Sequence, residues 1–250
     1  MTDRLAQAAA TGADVGRVFD AVLRSLRRFS AGASGAVRDE PAPDGGGQPG
    51  RGALSALRAG ALAVIEEHGR LVSGSGFVAA PGLLEDAPLW LEWFHVVGDR
   101  PPEPLVLDLD PSSTGFYDYT RHPWFRVPER TGGPYVHGPY VDFHGTDQYI
   151  LTMSAPVLDG PRFLGVTGAD LYVRRIEKSV LPLLPPGAVL LNAQGRVIVS
   201  RSARHVTGAL LRDLDIGAVD RDGAARARPV QEGALAPCGA LRLYLLLRHR

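Results

Sequence analysis

The sequence is poor in residues that would settle its chemistry by themselves. It holds one cysteine, Cys238, so no internal disulfide can form and a Cys-rich zinc site is excluded. Lys178 is the only lysine, and basic and acidic residues balance at 27 each. That balance gives no general attraction to nucleic acid or to an anionic membrane. No stretch approaches the roughly 18 uninterrupted apolar residues of a membrane span. The apolar run Leu241–Leu247 is far shorter and is broken by Arg242. Residues 1–10 include Asp3, Arg4 and Gln7 and lack the apolar centre of a signal peptide, so a cytoplasmic location is the expectation. Catalytic signatures are missing as well. Gly74-Ser75-Gly76 is not a Gly-x-Ser-x-Gly elbow, and neither a P-loop nor a His-Glu-x-x-His pattern occurs. No enzymatic activity and no cofactor are expected.

What is present is an ordinary globular composition, 45% apolar over 250 residues, ample for a sizeable core. Val15, Val18, Phe19, Val22, Leu26 and Phe29 recur at helical spacing with Arg17, Arg24 and Arg28 on the other side, which predicts a helix over 14–30. Residues 31–50, rich in Gly, Pro and Ala, read as a flexible linker. A second helix carries Leu54, Leu57, Ala61, Val64 and Ile65 and ends near Gly69. Strand patterns follow at 76–80, 89–97, 104–109, 148–157 and 163–170, then a helix at 176–184 stopped by Pro185-Pro186. Residues 187–250 restart the pattern with a hairpin at Ala193-Gln194-Gly195, a short helix near 210–214 and strands near 227–231 and 241–247. Helices, an antiparallel sheet and a second, smaller sheet make an α+β fold.

Several stretches carry a family likeness: Tyr117-Asp118-Tyr119-Thr120-Arg121-His122-Pro123-Trp124-Phe125, Gly138-Pro139-Tyr140-Val141-Asp142, Thr152…Pro156-Val157 and Gly165-Val166-Thr167-Gly168-Ala169-Asp170. With Leu191-Asn192-Ala193-Gln194-Gly195-Arg196-Val197-Ile198-Val199-Ser200, they resemble the double Cache sensor family in order and spacing across residues 52–250. The resemblance implies N-terminal helices packed along two PAS-like antiparallel-sheet modules, with the ligand held in the first. It divides the chain into an N-terminal helix and linker (1–51), a ligand-binding module (52–182) and a smaller second module (187–250). In the amino-acid-binding branch of that family, the matching positions hold the ligand, and they fall here on Tyr117, His122, Trp124, Phe125, Tyr140, Asp142 and Asp170. His122 stands where that branch has arginine. The implied role is a sensor of a small molecule that signals through a partner protein, with a homodimer as one form.

The chemistry of these residue types agrees with such a role. Two carboxylates in one pocket can accept the N–H bonds of an ammonium group and neutralise it. Aromatic faces add cation–π attraction of roughly 0.5–2 kcal/mol. An α-carboxylate needs a bidentate partner, which arginine supplies and histidine does not. An amine or another cation without a carboxylate therefore suits His122 better than an amino acid, unless the adjacent Arg121 swings in. Two other readings stay open: a metal-dependent hydrolase or lyase built on His137, Asp142, His144 and Asp147, and an interaction scaffold that binds no ligand. Asp170 also has a bland reading, as the N-cap of the helix that follows it.

Overall fold

The computed structural model describes residues 2–39, 49–52, 57–98, 100–143, 147–220 and 226–249. Its spine is helix α1 (Thr2–Asp39). Val15, Phe19, Val22, Leu26 and Phe29 form its buried stripe, which the sequence pattern anticipated. The helix is longer than that pattern suggested at both ends. The 31–50 linker expectation is corrected over residues 31–39, which continue α1, while 40–48 lie outside the described residues. Gly32 and Gly35 each cost about 1 kcal/mol in a helix, but Ala33 and Val37 are buried beside them and tertiary packing decides. The Ser34 hydroxyl donates to the Leu158 carbonyl at 2.9 Å, fastening this last stretch to the first sheet.

Helix α2 (Leu57–His68) buries Leu57, Ala61, Val64 and Ile65 and leads into the first sheet. Its strands are β1 (Val72–Ala79), β2 (Leu91–His95), β3 (Glu103–Pro104), β4 (Tyr135–Val141), β5 (Tyr149–Asp159) and β6 (Arg162–Tyr172). They are ordered β3-β2-β1-β6-β5-β4, and all pairs are antiparallel. The strand expected at 104–109 is mostly absent. Beyond Pro104 the ladder ends, with the Leu105 N–H still donating to the Trp93 carbonyl at 2.8 Å. Helix α3 (Pro123–Thr131) interrupts the strands, and α4 (Val173–Val180) leads into the second module.

The second sheet comprises β7 (Ala188–Asn192), β8 (Val197–Ser200), β9 (Arg228–Val230), β10 (Gly233–Pro237) and β11 (Leu243–Arg248), ordered β8-β7-β11-β10-β9. With the two-residue β3 set aside, this is the same order as the first sheet, with the last strand beside the first in the middle. The helix expected near 210–214 does not form. Leu210 bridges Arg196, and the Leu211 N–H donates to Gly195 O at 2.9 Å, so the segment pairs with the hairpin instead. The short helix α5 (Gly217–Asp220) follows it.

Each sheet lays one face on α1, which touches β5 and β6 in the first and β10 and β11 in the second. Helix and second sheet meet closely at Gly16, where any Cβ would lie 2.4 Å from the Gly239 nitrogen. On the first sheet, Phe77, Leu151, Met153, Ala155 and Leu171 face the helices. The alternating residues Val78, Trp93 and Val166 face the other way and carry the site.

Candidate functional site

The outer face of the first sheet encloses a cavity of about 40 Å³, small beside the roughly 300–1,000 Å³ of pockets that hold drug-sized ligands. Its floor is Trp93 on β2. The indole can lie flat on the sheet because glycines stand beneath it. A Cβ at Gly76 would come within 2.7 Å of the Trp93 Cα, and one at Gly168 within 2.8 Å of the far edge of the ring. The glycines of Gly74-Ser75-Gly76 and Gly165-x-x-Gly168 thus make room for an aromatic ring and a close neighbouring strand.

Two walls come from the segment before and within α3. Pro123 starts this helix, which suits its fixed φ, and Gly132 closes it at φ 63°. Trp124 turns into the cavity, and its carbonyl accepts the Ser154 hydroxyl at 2.7 Å, which pins the helix to β5. Phe125, next along the helix, points elsewhere and packs edge-on against Tyr119 and Phe163. Tyr117 lines the cavity, whereas Tyr119 is core and donates its hydroxyl to Ala79 O at 2.8 Å. Leu105 and Leu107 of the segment after β3 complete the apolar lining.

The third wall depends on a bulge. His137 pairs with Thr152, but Tyr140 pairs with Ile150, so β4 spends one residue more than β5 between those pairs. The extra residue flips the alternation. Without it Tyr140 and Asp142 would face α1; with it both line the cavity. Tyr140 and Thr152 hydroxyls lie 2.9 Å apart, and the Thr152 hydroxyl donates to the Asp170 carboxylate at 2.6 Å, giving a relay Tyr140→Thr152→Asp170. Asp170 stands opposite Thr152 on one side and Gly74 on the other. The residue capping α4 is Tyr172, so the N-cap reading of Asp170 is excluded.

Burial pushes the Asp170 carboxyl from its ordinary 3.8 up to about 7; the Thr152 hydrogen bond opposes this and the negative Asp142 reinforces it. The Tyr117 and Tyr140 hydroxyls are pushed up too, first by burial and then by the two aspartates. His137 goes the other way, down to about 4, because burial and nearby His122 disfavour its charge. Its ring lies against Tyr140, with centroids 4.8 Å apart. Among the described residues no basic side chain lines the cavity. Arg121 turns outward, 85% exposed, to pair with Asp118 at 2.7 Å.

Of the residues singled out from sequence, Tyr117, Trp124, Tyr140, Asp142 and Asp170 meet at this cavity, while His122 and Phe125 do not line it. His122 stacks on Trp124 and tilts against Tyr117, so it packs on the rings of two walls. Sequence reasoning missed Trp93 and Thr152. Thr152 lay on the polar side of an alternating strand and was legible there, but Trp93 sat in a mixed apolar run. For the metal reading, His144 lies outside the described residues, and among those described no three His, Cys, Asp or Glu side chains cluster as metal ligands.

Comparison with known proteins bears on this geometry. Residues 107–178, which carry most of the walls, match the family model for methyl-accepting chemotaxis protein-like receptors, first PDC sensor domain. The whole chain superposes on solved sensor domains. This is a double Cache sensor fold. The ligand-binding domain of the Pseudomonas fluorescens chemoreceptor CtaA, in complex with L-valine, aligns over 100% of this chain and 97% of its own, at 14% identity and TM-score 0.60. That of the Pseudomonas aeruginosa PAO1 amino-acid chemoreceptor PctC, in complex with GABA, aligns over 97% and 96%, at 16% identity and TM-score 0.57. The extracellular domain of mmHK1S-Z2, assigned as a histidine kinase, aligns over 98% and 94%, at 11% identity and TM-score 0.68. These are sensor domains, not catalytic ones. The expectation of a cytoplasmic location draws no support from such neighbours, and no helix among the described residues is long and apolar enough to cross a membrane.

Proposed function

We propose that the chain senses a small organic cation, an amine, held in the first module between Asp142, Asp170 and the rings of Trp93, Tyr117, Trp124 and Tyr140. One observation carries this reading: two aspartates line a small aromatic cavity whose described lining includes no basic side chain. Such a cavity favours a ligand that brings positive charge, because burial disfavours the charged form of Asp170 and a cation beside it offsets that cost. An ammonium group can donate to both carboxylates and lie on the aromatic faces. His122 in the place of an arginine, and Arg121 turned out to Asp118, weigh against a carboxylate on the ligand. The amino acids bound by the chemoreceptors of similar fold carry an ammonium group, so the common element is the amine. Output through a partner protein fits a fold shared with receptors and kinases.

A thermal-shift screen of primary amines, amino acids and simple carboxylates tests this directly. A binder raises the unfolding temperature according to its concentration over its dissociation constant. Amines are expected to stabilise the protein, carboxylates not. Stabilisation by carboxylates alone would refute the assignment.

A further inference from the structure

The bulge that turns Tyr140 and Asp142 into the cavity is held from outside the first module. Asn192, at the end of β7 in the second module, is buried and donates its Nδ2 to the Gly138 carbonyl at 2.6 Å. Gly138 sits inside the bulge, between His137 and Tyr140. The other end of the same amide accepts the backbone N–H groups of Gln194 and Arg196, both at 2.9 Å, and so caps the β7–β8 turn. With two N–H groups on one side and a carbonyl on the other, the orientation of the amide is fixed by its partners.

We propose that Asn192 is a positioning residue for the ligand site: by holding the Gly138 carbonyl it fixes the bulge that aims Tyr140 and Asp142 at the cavity. The inference rests on reading that cavity as the site, and it gives the second module a part in ligand recognition. A one-residue slip in a strand moves every following side chain to the other face, so the bulge must be held in place. Gly138 is at φ 110°, and a Cβ there would lie 2.8 Å from the Ile150 carbonyl, so glycine is required and no side chain of its own can stabilise the position. A buried carbonyl is costly to leave without a partner, and Asn192 supplies one. The tie also links the second sheet to the site: Asn192 to the bulge, then Tyr140, Thr152 and Asp170.

The test reads the site without any ligand. In Asn192→Ser the shorter hydroxyl can still accept from the Gln194 N–H, as serine does in turns, but cannot reach Gly138. In Asn192→Asp the shape and both accepting contacts are kept, and the donor becomes an acceptor facing a carbonyl. Carbon-detected NMR would follow the Asp170 carboxyl through pH, alongside the Tyr140 ring signals, in wild type and both variants. With either variant folded, the Asp170 titration is expected to fall toward the ordinary carboxylate value as the Tyr140 wall loosens and water enters, and the Tyr140 signals to broaden or shift. A residue that only capped its own hairpin would leave both untouched. Unchanged Asp170 and Tyr140 signals in a folded variant would therefore overturn the proposal. Ethylamine added to the wild-type sample separates the two readings, because failure of the amine to move the Asp170 signal counts against the amine and leaves the ligand-free result standing.

Discussion

The two sheets share a strand order and a helix, yet their outer faces have gone opposite ways. In the second module that face is filled: Val189, Leu191, Val197, Leu235, Tyr244 and Leu246 pack against Leu214, Ile216 and Val219, all buried. In the first, Asp170 and Thr152 stand on the two neighbouring central strands, glycines lower the floor under Trp93, and a bulge turns Tyr140 and Asp142 inward. The lesson is that this topology does not by itself make a site. Two carboxylates facing one cavity, Asp142 and Asp170, walled by the rings of Tyr117, Trp124 and Tyr140 over Trp93, do so. The second sheet contributes a filled apolar face and the Asn192 contact to Gly138.

The comparison breaks most sharply at Asp170. Asp170→Asn should lower amine affinity by at least about tenfold, since losing one side of a desolvated charge pair costs roughly 2–5 kcal/mol. Its effect on stability should have the opposite sign. A carboxyl whose value is raised from 3.8 to about 7 withdraws stability as pH rises through that window, because the folded form holds the proton longer than the unfolded one. Removing the charge should leave the protein at pH 8 as stable as wild type or more so, and thermal melts together with calorimetry read both effects. A variant that binds normally would show that Asp170 does not face the ligand.

Next in size is Gly168→Ala. The new methyl meets the outer edge of Trp93 and must push the ring toward the cavity, an overpacking cost of about 1–3 kcal/mol. Amine affinity should fall and Trp fluorescence should change. A silent variant would show that the ring has room to yield. His122→Arg should act more weakly, shifting preference toward the amino acid over the matching amine by less than about tenfold, because His122 stacks on Trp124 without lining the cavity itself. Competition calorimetry measures that ratio. Leu246→Ala should have the smallest effect on binding. It should cost about 2–5 kcal/mol of stability from a filled face and change amine affinity less than about twofold. A large loss of affinity there would mean that the second face does more than fill space.

Much of this was legible in the sequence, for particular reasons. The α1 stripe shows because Val15, Phe19, Val22 and Leu26 are all large and recur at helical spacing. The β5 pattern shows because Leu151, Met153 and Ala155 alternate with Thr152 and Ser154. The end of α1 was hidden by Gly32 and Gly35, whose local preference is overridden by packing on the first sheet. The strand at 104–109 was over-read from Leu105, Leu107 and Leu109, which pack onto the cluster around Trp93, Tyr117 and Trp124 rather than joining a ladder. Trp93, the bulge and Asn192 escaped because each acts through residues distant in sequence: glycines on β1 and β6 for the first, the β5 register for the second, and the Gly138 carbonyl for the third.

Amine binding as proposed requires Asp170 to give up its proton, because burial raises its carboxyl to about 7. Calorimetric titration of the best amine from the screen, between pH 5 and 8 in buffers of different ionisation heat, tests it most directly. Below about pH 7 the affinity should fall by about tenfold per pH unit, with close to one proton released per amine bound. Both the slope and the proton release should vanish in Asp170→Asn. Affinity that stays level across this range in the wild-type protein, with no proton released, would contradict the account.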